Sequence, residues 1–251
     1  MGAIVFALEA FLDTYRLAAL LIGVFAVEYL ARKQGFQWDE TGKRTTMQSA
    51  RMVAAGFGLG AAVVLLMVGV AWGAGLAKVT MGSPTLVGLG LGVVTPLAQA
   101  ARDELLFRGA PLAMMKDRIP DRFALPFVAL LGAAPLWLQP NPSLVGIAIA
   151  VVTGWVFALA LRAGRGVLLA WGAHAGWLFM LGAGTRGGVL DVSLGAGIWL
   201  PLGYAEGTVA WVAFGVVTLV AVGASVLYFR RRPSTAPSTA PSTGPAPSEA
   251  Q

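Results

Sequence analysis

Asp103-Glu104-Leu105-Leu106-Phe107-Arg108-Gly109 sets two carboxylates and a guanidinium into a stretch that runs, largely apolar, from Leu86 to Met115. A charged side chain at the bilayer centre costs about 2.5–3.5 kcal/mol on insertion scales. Such groups inside a span face a partner or a wet cavity. The segment therefore reads as a functional site within a transmembrane helix.

Working outward, apolar runs long enough to span a bilayer recur along the chain. Hydrophobic residues make up 57% of it and charged ones 12%, half the share of about 25% usual in globular proteins. At about 20 residues per crossing, the runs predict an all-α, polytopic membrane bundle of about seven transmembrane helices. They lie near 10–31, 52–77, 85–115, 123–138, 144–162, 166–184 and 206–229. Leu190 to Pro201 is apolar but broken by glycines and Asp191, and reads as an interfacial or re-entrant piece.

Loop charges predict orientation. Arg32, Lys33, Lys43, Arg44, Arg51, Lys116, Arg118, Arg122, Arg162, Arg165 and Arg230 to Arg232 fall in one set of loops, and only Lys78 and Arg186 in the other. By the positive-inside rule the first set is cytoplasmic, with the N-terminus outside and the C-terminus inside a bacterial cytoplasmic membrane. The net charge of +6 is then a topological bias. Without a basic face interleaved with aromatics it does not point to nucleic acid.

Cysteine is absent, which removes disulfides, palmitoylation and a thiol nucleophile. The start of the chain has no basic n-region, so no removable signal peptide is expected. Residues 1–232 read as one membrane domain. Residues 233–251 are rich in Ser, Thr, Ala and Pro and read as a disordered cytoplasmic tail. There is one histidine and no His-Glu-x-x-His pattern, so neither a metal nor another cofactor is expected.

On a helix, Glu104 and Arg108 share a face and can pair, while Asp103 points about 100° away and is left for another task. Polar glue between helices is the competing reading of the cluster. Arg102 has no local partner in this reading beyond a contact with Glu28. The single histidine, His174, lies in the sixth span. Glu104 is about 18 Å of helix from Lys116, and His174 about 13 Å from Arg165, so the two groups fall at similar depths. An acid facing an imidazole there makes a proton-handling pair.

Asp103-Glu104-Leu-Leu-Phe-Arg108-Gly109 resembles the Glu-Glu-x-x-x-Arg motif of the CAAX protease and bacteriocin-processing (CPBP) intramembrane proteases, which include the Rce1-type prenyl-protein endopeptidases. His174-Ala-Gly-Trp-Leu178 is similar to the last motif of that family, His-x-x-x-Asn, and Gly154 to Ala170 to the approach to it. The resemblance covers roughly residues 85–182. It implies hydrolysis of a peptide bond in a membrane-associated protein or peptide, without a metal. The implied roles give the water to Asp103 or Glu104, the holding of Glu104 to Arg108, and proton shuttling or oxyanion stabilisation to His174.

Three positions depart from the family. Asp103 stands where the catalytic glutamate falls. Leu130 to Gln139 contains no histidine where Phe-x-x-x-His is expected, although Gln139 offers a donor. Leu178 replaces the asparagine. Two main readings stay open: an endopeptidase, or a catalytically degenerate relative that binds membrane peptides or serves as an immunity or assembly factor. A small-molecule transporter is a third. The lipid bilayer is the one partner common to all of them, and oligomeric state is left open.

Overall fold

The apolar runs fold as helices close to the expected boundaries. The computed structural model describes residues 16–33, 37–40, 42–116, 118–137, 143–186, 188–194 and 207–230. Residues 1–15, Gln139 and the tail at 233–251 lie outside the described residues. The helices are α1 (Arg16–Lys33), α2 (Thr46–Gly73), α3 (Leu86–Glu104), α4 (Ala110–Met115), α5 (Asp121–Trp137), α6 (Leu144–Ala163), α7 (Leu168–Phe179) and α8 (Gly207–Arg230). Three of them, α2, α6 and α8, are each long and apolar enough to cross a membrane. The chain is an integral membrane helix bundle.

Local chemistry sets several boundaries. Thr45 and Gln48 cap α2 reciprocally, each side chain taking the other's backbone N–H. That satisfies donors the first turn leaves unpaired, and moves the start of the helix ahead of the purely apolar run. Between α3 and α4, Leu105–Gly109 widens into a π-helical turn, where a continuous α-helix was expected. Pro111 has no N–H for the Phe107 carbonyl, and its ring would press on that oxygen. One wider turn, in which Ala110 N–H donates to Leu105 O, relieves both problems.

The predicted interfacial or re-entrant piece needs correction. Leu190–Leu194 is a strand, β2, paired antiparallel with β1 (Ala77–Met81), and Val79 lies opposite Val192. The remainder of that piece, residues 195–201, lies outside the described residues. The periodicity reading missed this sheet although Ala77–Met81 and Leu190–Leu194 each alternate apolar and polar residues, because five-residue strands between long apolar runs are a short signal beside the helical one.

The loops that carry most of the basic residues meet at the other end of the bundle. Arg44 bonds Asp39 at 2.8 Å and the Gly164 carbonyl at 2.8 Å. Glu40 N–H donates to Arg165 O, and Arg162 pairs with Asp121 at 3.1 Å.

Helices α2 and α7 approach unusually closely. Gly56 and Gly60 of α2 face Gly172 and Gly176 of α7, four residues apart on each helix. A Cβ on Gly60 would run into the Ala173 carbonyl, and one on Gly176 into the Phe57 carbonyl. Small residues at this spacing let backbones touch where lipid supplies no hydrophobic drive. Gly60→Ala is therefore expected to lower stability by about 1–3 kcal/mol, because the obstacle is backbone that cannot rotate away. Gly58→Ala, pointing into open space, should be neutral or stabilising by up to about 1 kcal/mol. Thermal unfolding of both variants in detergent checks the contrast.

Candidate active site

His174 sits midway between Gly172 and Gly176. Two residues from each, at 100° per residue, it points to the side of α7 opposite the glycine seam. The glycines thus press α7 onto α2 and turn the imidazole towards α3 and α6. Trp171 fixes the height of α7 by donating Nε1–H to the Leu97 carbonyl of α3 at 2.7 Å.

Glu104 ends α3 and is fully buried, at 0% exposure. Its Oε1 lies 2.8 Å from His174 Nδ1 and also accepts from the Arg108 guanidinium. The structure thereby brings together Glu104, Arg108 and His174. Arg108 can only donate, so Oε1 is an acceptor, and the Nδ1 contact is a second donation to it. His174 then carries a proton on Nδ1. In the neutral ring its Nε2 has a free lone pair.

Two glycines make room for the guanidinium. A Cβ on Gly132 of α5 would stand 2.6 Å from an Arg108 terminal nitrogen, and one on Gly154 of α6 3.3 Å from the same atom. Phe157, one turn beyond Gly154, stacks on the His174 ring with centroids 4.8 Å apart and planes 22° from parallel. The Arg108 guanidinium carbon lies 5.2 Å from the same Phe157 ring.

Asp103 is placed apart from this group. Its Oδ1 accepts from Arg102 Nε at 2.9 Å, and its side chain remains 15% exposed. Arg102, for which the sequence offered no local partner beyond a contact with Glu28, pairs with its neighbour Asp103. Glu28 accepts from Arg32 at 2.8 Å and from Trp38 Nε1 at 2.7 Å. The Arg102 stem also lies against α1, 3.7 Å from the Cβ position of Gly23.

Leu178 and the Leu130–Trp137 stretch, singled out in the sequence, have plain packing roles. Leu178 lies against the apolar core around Val64, Phe157 and Trp177. On α5, Leu130 and Trp137 are exposed, while Gly132 is what faces the cluster.

Sequence reasoning missed Phe157, Gly132, Gly154 and the paired glycines of α2 and α7. The Gly-x-x-x-Gly spacings at 56–60 and 172–176 were the available signal, and the second brackets the only histidine.

Residues 82–180 match the family described as type II CAAX prenyl endopeptidase Rce1-like. The match takes in every member of the cluster and coincides with the 85–182 resemblance. No curated protein and no solved structure matches the chain.

Proposed function

We propose that this Rce1-like membrane protein is an endopeptidase that hydrolyses a peptide bond in a membrane-associated protein or peptide. The observation that carries the reading is the buried Glu104–His174 contact, which leaves the outer imidazole nitrogen as a base. Exposure separates the two carboxylates. Glu104 is sealed at 0%, whereas Asp103 at 15% and His174 at 13% keep access to their surroundings. Glu104 therefore orients the imidazole, as a buried carboxylate orients a catalytic histidine elsewhere, which leaves to the more exposed Asp103 the water-polarising role that the family resemblance implies.

In the step itself, His174 Nε2 takes a proton from water as hydroxide adds to the substrate carbonyl carbon. The carbon–nitrogen bond breaks, and the same proton passes to the departing amine. The products are a new carboxylate and a new amino terminus. Arg108 holds the charge of Glu104 and needs no contact with substrate. The basic loops at one end of the bundle support a cytoplasmic membrane location with the N-terminus outside.

The second reading, a non-catalytic peptide-binding, immunity or assembly factor, is favoured by Leu178 and Gly132, which bring no polar side chain to the cluster. Protein termini compared by mass spectrometry separate the two. Strains would carry the wild-type gene, Asp103→Asn or a deletion, with protein levels checked by blot. Hydrolysis predicts specific termini that vanish in both altered strains. Matching profiles in all three, where the deletion has a phenotype, would remove the enzymatic reading.

A further inference from the structure

The Glu104 bond to His174 is a single contact, and a single hydrogen bond is a pivot. An imidazole has two soft torsions, χ1 and χ2, with a broad two-fold preference at the second. The bond to Oε1 constrains where Nδ1 lies. It leaves the ring able to rock about the Nδ1···Oε1 line, which would swing Nε2 through an arc. The face of Phe157, 4.8 Å away and near parallel, blocks that motion.

Phe157 is itself held. It is 5% exposed, and its ring lies 5.2 Å from the Arg108 guanidinium carbon. That guanidinium binds the same Glu104 oxygen that faces His174. The contacts run from Glu104 to His174, to Phe157, to Arg108 and back to Glu104, and join α3 and the π-helical turn that follows it to α6 and α7. Turning the ring over about χ2 would put a carbon where Nδ1 lies, and the carboxylate would lose its second donor, whereas tilting it out of plane is what the stacked Phe157 face resists.

We propose that Phe157 is a positioning residue that, with Glu104, holds His174 in the tautomer with Nδ1 protonated and Nε2 bare, facing away from the carboxylate. Its purpose rests on the hydrolytic reading above, since a base must present its lone pair in one direction. Free imidazole side chains prefer the opposite tautomer in water, so the arrangement must be imposed by the surroundings.

The chain has one histidine, which makes the test direct. Protein without a histidine tag, labelled with nitrogen-15 only in histidine and placed in lipid bicelles, gives a single pair of ring-nitrogen signals. In the neutral wild-type ring the expected spectrum shows Nδ1 protonated and Nε2 bare. In Phe157→Leu both signals should move towards each other as the two tautomers exchange. Phe157→Tyr, which retains the ring, should restore the wild-type pattern.

A wild-type proton on Nε2 overturns the proposal, and so does a folded leucine variant indistinguishable from wild type. Should the leucine variant aggregate, Phe157→Met is measured in its place under the same criterion, and the wild-type spectrum decides the tautomer by itself. No substrate is needed. A tautomer released by Phe157→Leu therefore stands even where terminal profiles show no cleavage, and cleavage with an unmoved tautomer overturns the positioning role alone.

Discussion

Arg108→Met is expected to destabilise the protein by about 3–5 kcal/mol, the usual result of removing one partner from a buried ion pair. The reason is the state in which it leaves Glu104. That carboxylate is fully buried and its Oε1 serves both Arg108 and His174, so losing the guanidinium leaves it without its permanently charged partner. The pocket made by Gly132 and Gly154 would be emptied at the same time, adding a packing defect. Arg108→Met combined with Glu104→Gln should recover much of the loss, because neutralising both partners removes the uncompensated charge. Denaturant unfolding in mixed micelles reads the cycle. An Arg108→Met protein as stable as wild type would mean that the pair contributes nothing and that Glu104 is protonated or hydrated.

The second large effect concerns rate. His174→Ala is expected to slow the appearance of specific termini by about 10²–10⁴-fold, the range for losing a general base. His174→Gln distinguishes base from donor. Glutamine presents an amide N–H that can serve an oxyanion, but it cannot take a proton at neutral pH. A bare Nε2 predicts that glutamine is as slow as alanine. Glutamine activity within about tenfold of wild type would instead assign His174 to oxyanion stabilisation, in which one donor accounts for about 10²–10³ in rate. Time courses of the same peptides by mass spectrometry, normalised to protein level, give both numbers.

Much of this protein is legible in its amino-acid sequence. The helices follow from runs of apolar residues, because bilayer thickness demands a length that composition displays directly. The pairing of Glu104 with Arg108 follows from spacing alone, since both lie on one helix. The similar depth of Glu104 and His174 was also readable, by counting residues back to basic anchors. What counting cannot give is rotation. Depth fixes a level in the membrane, whereas the direction in which α7 presents its histidine depends on which face packs against α2.

The roles of the two carboxylates were open for the same reason. Asp103 and Glu104 are neighbours in sequence, and a helical wheel gives Glu104 the Arg108 partner but does not say which of the two carboxylates meets the histidine. Burial separates them: one is sealed beneath α6 and α7, while the other pairs with Arg102 and keeps access to its surroundings. The π-helical turn beside them was implicit in Pro111, but a missing N–H allows a kink, a break or a wider turn, and packing selects among these.

By itself, then, the sequence determined the membrane bundle, the order of its helices and the helix-borne ion pair, all of which depend on composition and on neighbours within one turn. Tertiary structure alone decided that His174 meets Glu104 rather than Asp103, that Phe157 covers the imidazole, and that Gly132 and Gly154 admit the guanidinium. Each of these contacts joins residues on different helices, and its geometry is set by how closely and at what rotation those helices pack.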